Sequence, residues 1–350
     1  MVVESPIRVI FPPGQPAMSH RIFLTGTRIA EAAIHLLRDR HCVVEVGEPK
    51  DTPEDLVRKL AQFSPDGLIV RQGRITGAVQ DASKRLRVIC KHGVGTDNID
   101  VEGATNRGIP VLFTPGTNAE SVAEHTLGLI LSLTRRIPQQ DRRVRGGIYD
   151  KATYDGQELL GKTLGLVGFG HVARRLCELV APFEPRVLVY DPLSTDEPGA
   201  GYVSKVEELE ELLPRADILS LHCPLSSTTR GLLNRRTIAK MKRGACVVNT
   251  ARGPIIDESH LVEALQSGHL GGAALDVLEH EPPAADSPLY GLHNVVLTPH
   301  VGGVSDRAMT NTGLQAARNV LAVLEGELVD PRFVLNCEVL EHGPGDDHPK

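Results

Sequence analysis

Arg252, Glu281 and His300 are residues of the types that reduce a ketone or oxidise the matching alcohol. Each stands just beyond the end of an apolar segment that reads as a strand: Ala245–Asn249, Ala273–Asp276 and Val295–Leu297. Arg252, in Asn249-Thr-Ala-Arg-Gly253, offers a permanently charged fork that can grip a carboxylate and polarise the neighbouring carbonyl. His300, in Thr298-Pro-His-Val-Gly302, can deliver a proton near neutral pH. Glu281, before Pro282, can orient that imidazole and supply its counter-charge. Ligands bind beyond the carboxyl ends of strands in a doubly wound sheet, so the three can converge on one cleft. His222 and His280 compete with His300, and Glu279 competes with Glu281; the Thr-Pro-His-Val-Gly context favours His300.

Such a reduction needs a hydride, and Gly161-Lys-Thr-Leu-Gly-Leu-Val-Gly-Phe-Gly-His-Val-Ala173 suggests its source. The segment reads as a strand (Leu164–Val167), a glycine turn and a helix start. Gly168 permits the tight turn, Gly170 lets the backbone approach a pyrophosphate, and Ala173 fills the third small position. A second strand, Arg186–Tyr190, ends at Asp191, where a dinucleotide site places a carboxylate on the ribose hydroxyls. That charge favours NAD and disfavours a 2′-phosphate. The candidate cofactor contacts are Gly168, Gly170, His171 and Val172 at the turn, then Asp191. Further along are the strand-end residues His222, Cys223, Pro224, Thr228, Thr250, Ala251 and Asp276, with His300 and Gly302.

These loops need a sheet to hold them. Leu164–Val167, Arg186–Tyr190, Ile218–Leu221, Ala245–Asn249, Ala273–Asp276 and Val295–Leu297 alternate with helical segments, as in a complete Rossmann sheet. Upstream, a separate α/β layer is expected. Its strands are Ile7–Phe11, Val43–Val46, Gly67–Val70, Val88–Cys90 and Val111–Phe113, and its helices are 28–40, 53–62 and 79–83. Residues 118–137 read as one long helix stopped by Pro138. A polar segment, 138–160, follows it, and a helix over 306–325 closes the fold. The tail from Glu341 reads as disordered.

The chain has 350 residues, enough for two domains, and a net charge of −6 with 3% aromatics and no Trp. That balance argues against a nucleic-acid partner, because stacking rings and excess cations are scarce. The six cysteines are scattered without metal-ligand spacing, so neither a metal nor a disulfide framework is expected. No apolar run reaches membrane-spanning length and no signal peptide is evident, which points to a cytoplasmic location.

The chain resembles the D-isomer-specific 2-hydroxyacid dehydrogenases, and within them the phosphoglycerate dehydrogenase branch. The motifs that carry the likeness begin with Lys91-His-Gly-Val-Gly-Thr-Asp-Asn-Ile-Asp100 and the glycine segment 161–173. They continue with Leu221-His-Cys-Pro-Leu225, Val248–Gly253, Ala274–Asp276 with Glu281-Pro282, and Thr298–Gly302. The resemblance implies a Rossmann NAD domain (118–299) inserted into a flavodoxin-like substrate domain (1–117 and 300–340), with catalysis in the cleft between them. It implies catalytic roles for Arg252, Glu281 and His300, and Asp276 near the nicotinamide carboxamide. It also implies a homodimer formed through the cofactor domains, using the long helix and the 138–160 arm. Substrate-binding candidates are the backbone at Val94-Gly95, Arg71, Lys91 and Asn118, and Lys151 from a neighbouring subunit, with Arg252 and His300.

Three cations exceed what one carboxylate needs, so a second anionic group on the substrate is expected, with D-3-phosphoglycerate/3-phosphohydroxypyruvate foremost. Hydroxypyruvate, glyoxylate and sulfolactate remain alternatives, as does an NAD-dependent corepressor-like binding protein. Only a short tail follows the closing helix, so feedback control through an appended domain is not expected.

Overall fold

The computed structural model describes residues 7–8, 19–26, 29–194, 199 and 201–342. The chain divides into two units: Met1–Asn118 with Asp306–Lys350, and Ala119–Ser305.

The first unit is built on five parallel strands: β1 (Arg21–Thr25), β2 (Val43–Val46), β3 (Gly67–Val70), β4 (Val88–Lys91) and β5 (Val111–Leu112). Their order, β2-β1-β3-β4-β5, is the flavodoxin-like arrangement. Side chains alternate between the two faces. Ile22, Leu24, Ile69, Val88 and Cys90 join one core with Ala316, Val320 and Leu324 of the helix Asp306–Glu325. Phe23, Leu68, Val70 and Ile89 join the other, against Leu56, Leu60 and Phe63 of the helix Pro53–Phe63. Both faces are covered, which is why Ile22–Leu24, Leu68–Val70 and Val88–Cys90 are apolar, whereas the edge strand β2 carries Glu45 and exposes Val43 and Val46.

The first strand of this sheet is not the one expected. Ile7–Arg8 pairs antiparallel with Leu328–Val329 and Glu341–His342 in a small separate sheet, and β1 takes the place between β2 and β3. The remainder of the expected strand, 9–11, lies outside the described residues. Glu341 and His342 are paired as a strand, whereas the sequence suggested a tail there; 343–350 lie outside the described residues.

The second unit carries seven parallel strands: β6 (Thr163–Val167), β7 (Arg186–Tyr190), β8 (Val203–Lys205), β9 (Ile218–Leu221), β10 (Ala245–Asn249), β11 (Leu270–Leu275) and β12 (Val295–Leu297). Their order is β12-β11-β10-β9-β6-β7-β8, the Rossmann arrangement extended by one strand, with the switch point between β6 and β9. The edge strand β8 was not anticipated. The unit runs to Ser305, past the expected boundary at 299, so His300 and Gly302 belong to it.

The long helix also differs from expectation. It spans Ala119–Thr134, and Arg136 then turns left-handed at φ 51°. Pro138 sits in the first turn of a new helix, Ile137–Arg145, rather than stopping the old one. The first turn has backbone N–H groups without helical partners, so a proline costs nothing there.

Candidate functional site

The glycine turn is shaped by close packing at the switch point. Gly168 has φ 93°, and a Cβ on it would lie 2.8 Å from the backbone of His222 and Cys223. Only glycine fits. Gly170 then caps the helix His171–Val180 with no side chain on its free amides, and a Cβ there would meet nothing within 4 Å. Open space thus lies before a helix N-terminus whose N–H groups lack a cap, which suits a pyrophosphate. Asp191 braces the same turn. Its Oδ2 accepts from Phe169 N at 2.8 Å, and its Oδ1 accepts from Leu193 N and Ser194 N. These features fit a dinucleotide.

His222 donates to or accepts from Ser220 Oγ at 2.9 Å, and burial lowers its pKa to about 4. A ring held neutral at physiological pH makes a poor proton donor. Burial pushes the Cys223 thiol up to about 11, which leaves it unreactive. Pro224 and Thr228 are exposed in the loop after β9.

Arg252 follows β10 on a loop braced by the buried Asn249. That side chain accepts from Ala251 N at 3.0 Å and donates to Arg252 O at 2.9 Å. Gly253 passes so near the turn after β11 that a Cβ would overlap the Leu278 carbonyl. The Arg252 loop therefore packs directly on the turn that carries Glu281. Arg252 Nη1 donates to Ala251 O at 2.6 Å.

His300 Nδ1 lies 2.7 Å from Glu281 Oε2, and Glu281 Oε1 accepts from Leu278 N at 3.1 Å. Burial alone would raise the Glu281 pKa. The hydrogen bond from His300, that ring's charge and the Leu278 amide outweigh it and hold the carboxyl below its ordinary value. His300 sits at φ 54°, a left-handed conformation that costs a non-glycine residue about 1–2 kcal/mol.

Asp276 holds that conformation. Its carbonyl accepts from His300 N at 2.8 Å. Its carboxylate accepts from Thr298 Oγ1 at 2.6 Å, Val301 N at 2.9 Å and Gly302 N at 2.8 Å. Burial would raise its pKa, but these bonds and one from His125 bring it down to about 2. Its side chain is 2% exposed, so both oxygens face this loop rather than open space.

In the first unit, Arg71 follows β3 and Lys91 ends β4. Lys91 Nζ donates to Arg71 O at 3.4 Å and to Asn98 Oδ1 at 2.7 Å. Asn98 in turn donates to Gly73 O, which ties the 72–73 loop to Lys91. Burial, then Arg71, and to a lesser degree Lys91, push the His92 pKa down to about 4. Val94 is exposed and Gly95 half-buried on the loop beyond. Asn118 ends the first segment of this unit, and Lys151 is exposed in the second unit after the helix Ile137–Arg145. Residues not anticipated from sequence are Asn98, Thr298 and, on the helix Ala119–Thr134, Ser121 and His125, which reach the His300 loop.

Among the described residues no group of His, Cys, Asp or Glu is placed to hold a metal, and no helix is long and apolar enough to cross a membrane.

A parallel sheet with an open glycine turn at its switch point, and a Glu–His pair beside an arginine loop, defines a dinucleotide-binding domain equipped for acid–base work. Residues 127–302 match the model of the D-isomer specific 2-hydroxyacid dehydrogenase NAD binding domain. A glyoxylate reductase of Thermofilum pendens is 40% identical, across 90% of this chain and 94% of its own. A D-3-phosphoglycerate dehydrogenase of Archaeoglobus fulgidus is 38% identical, across 87% of this chain and 57% of its own, so the chain spans little more than half of that relative. The crystal structure of the TT0316 protein of Thermus thermophilus superposes with a TM-score of 0.82 at 38% identity, covering 90% of this chain and 99% of that one. The chain belongs to the D-isomer-specific 2-hydroxyacid dehydrogenase family, and its second unit is that family's NAD-binding domain.

Replacing Asp191 with alanine removes both the repulsion of a 2′-phosphate and the brace on Phe169. NADH binding should weaken by tenfold or more, in keeping with ~1.5–3 kcal/mol for a hydrogen bond to a charged group. Preference for NADH over NADPH should narrow, as titration with each cofactor would show. An unchanged ratio would remove Asp191 from cofactor selection.

Proposed function

We propose that the chain is an NAD-dependent dehydrogenase that interconverts a D-2-hydroxyacid and its 2-keto acid, with 3-phosphohydroxypyruvate/D-3-phosphoglycerate as the pair. Bound NADH supplies the hydride. Arg252 grips the substrate carboxylate and polarises the carbonyl. His300, steadied on Nδ1 by Glu281, gives a proton to the developing alkoxide and takes one back in oxidation. The observation that supports the phosphate assignment is the placing of two cations together, with Lys91 Nζ donating to Arg71 O at 3.4 Å. Neighbouring positive charges attract an anion.

A smaller keto acid such as glyoxylate is the second reading. It is favoured by the engagement of the Lys91 ammonium with Asn98, and by the glyoxylate reductase that matches along nearly its whole length. The side chains of Ile137, Val144, Ile148, Tyr149 and Leu160 are exposed, which supports a homodimer formed through this arm and testable by light scattering.

The deciding experiment is a panel of 3-phosphohydroxypyruvate, hydroxypyruvate, glyoxylate, sulfopyruvate and oxaloacetate, each with NADH. Lys91→Ala and Arg71→Ala should raise KM for phosphohydroxypyruvate about tenfold or more, because charge-assisted bonds to phosphate are lost. KM for glyoxylate should hardly move. Equal losses on both acids would sink the phosphate assignment and leave the dehydrogenase reading standing.

A further inference from the structure

The role assigned below rests on His300 as the proposed proton donor. The left-handed backbone of His300 and its ring position depend on the loop 298–302, and that loop is gripped from outside by one helix. On Ala119–Thr134, Ser121 Oγ donates to Gly302 O at 2.7 Å. One turn further, His125 Nε2 lies 3.1 Å from Thr298 Oγ1 and 3.3 Å from Asp276 Oδ1. A Cβ on Gly302 would lie 3.3 Å from His125 Cδ2, so the ring abuts that end of the loop as well.

The hydrogen-bond directions follow from the donors available. The Thr298 hydroxyl has one hydrogen and gives it to Asp276 Oδ1 at 2.6 Å. Toward His125 it can only accept, so the hydrogen of that contact sits on Nε2 of His125. The same nitrogen faces the Asp276 carboxylate, which holds Val301 N and Gly302 N. The next residue on the helix, Thr126, has its Oγ1 2.9 Å from Thr250 Oγ1, on the loop that carries Arg252.

We propose that His125 is a positioning residue for the hydride-transfer reaction. By donating from Nε2 to Thr298 and Asp276, it locks the 298–302 loop so that the His300 ring stays on Glu281. Glutamine can present an amide N–H near the same place, whereas alanine cannot.

The test compares His125→Ala and His125→Gln in the full chain. In the alanine variant, kcat for keto-acid reduction should fall about 10–100-fold, the range expected when a reacting group is misplaced by about 1 Å. KM for NADH should stay within about twofold of wild type. Deuterium uptake at the Val301 and Gly302 amides should rise, and the glutamine variant should restore both kcat and protection. Wild-type kcat in the alanine variant would overturn the proposal. So would a loss shared with KM for NADH and thermal stability that glutamine does not rescue. Amide exchange reads the loop without turnover. A wild-type chain that reduces no keto acid would therefore defeat the dehydrogenase reading, while unchanged exchange in the alanine variant would defeat the grip of His125.

Discussion

With NADH saturating, the His300→Ala variant should reduce 2-keto acids about 10²–10⁴-fold more slowly than wild type, the usual contribution of a general acid. NADH affinity should be unchanged, because the glycine turn and Asp191 lie on other loops. Nδ1 of His300 is bound to Glu281 at 2.7 Å, which leaves Nε2 for the substrate oxygen. The pH profile extends the test. The lowered Glu281 pKa keeps that carboxylate ionised at pH values where an ordinary glutamate would begin to take a proton. Reduction should hold its rate on the acid side until Glu281 itself takes a proton. In Glu281→Gln no carboxyl is left to titrate, and the acid limb should disappear. An acid limb unchanged in that variant would show that Glu281 is not the partner; near-wild-type turnover without His300 would remove it as the donor.

Arg252→Ala should cost about 10³-fold in kcat/KM, the scale set by losing one preorganised donor to a developing oxyanion. Arg252→Lys should recover little, since an ammonium cannot bind a carboxylate bidentately while facing the carbonyl. Single-turnover kinetics with prebound NADH separates this effect from cofactor binding. A loss confined to KM, with kcat intact, would make Arg252 a binding residue and leave carbonyl polarisation to another group.

Much of this arrangement is legible in residue order, and the unread parts share a cause. Runs such as Gly67–Val70 and Leu164–Val167 are apolar because both faces of their sheets are covered, so they announce themselves. Arg21–Thr25 is just as apolar at Ile22 to Leu24, yet Ile7–Phe11 looked equally good. Only pairing between distant segments shows which of the two enters the sheet. Pro138 carries the same chemistry whether it ends a helix or opens one, and the left-handed Arg136 before it decides. Arg252, Glu281 and His300 stand out by type and by position after strands. Their contacts depend on Gly253 passing the Leu278 carbonyl, which spacing does not reveal. Ser121 and His125, polar positions one turn apart on a largely apolar helix, resemble a solvent-facing stripe until the 298–302 loop is seen against them.

The bond from Ser121 to Gly302 has a consequence for how the chain assembles. It joins residues near the two ends of the inserted unit, Ala119 and Ser305. Once that unit has folded, the segment ending at Asn118 and the segment starting at Asp306 emerge from neighbouring points. The helix Asp306–Glu325 supplies Ala316, Val320 and Leu324 to a core whose strand residues Ile22, Leu24, Ile69, Val88 and Cys90 come from before residue 118. Through an unfolded insertion, that meeting would require closing a very long loop, whose entropic cost grows with the logarithm of its length. Through a folded one, the loop is short in every sense that matters to chain statistics. The nucleotide-binding unit is thereby also a tether, raising the effective concentration of one half of its host for the other.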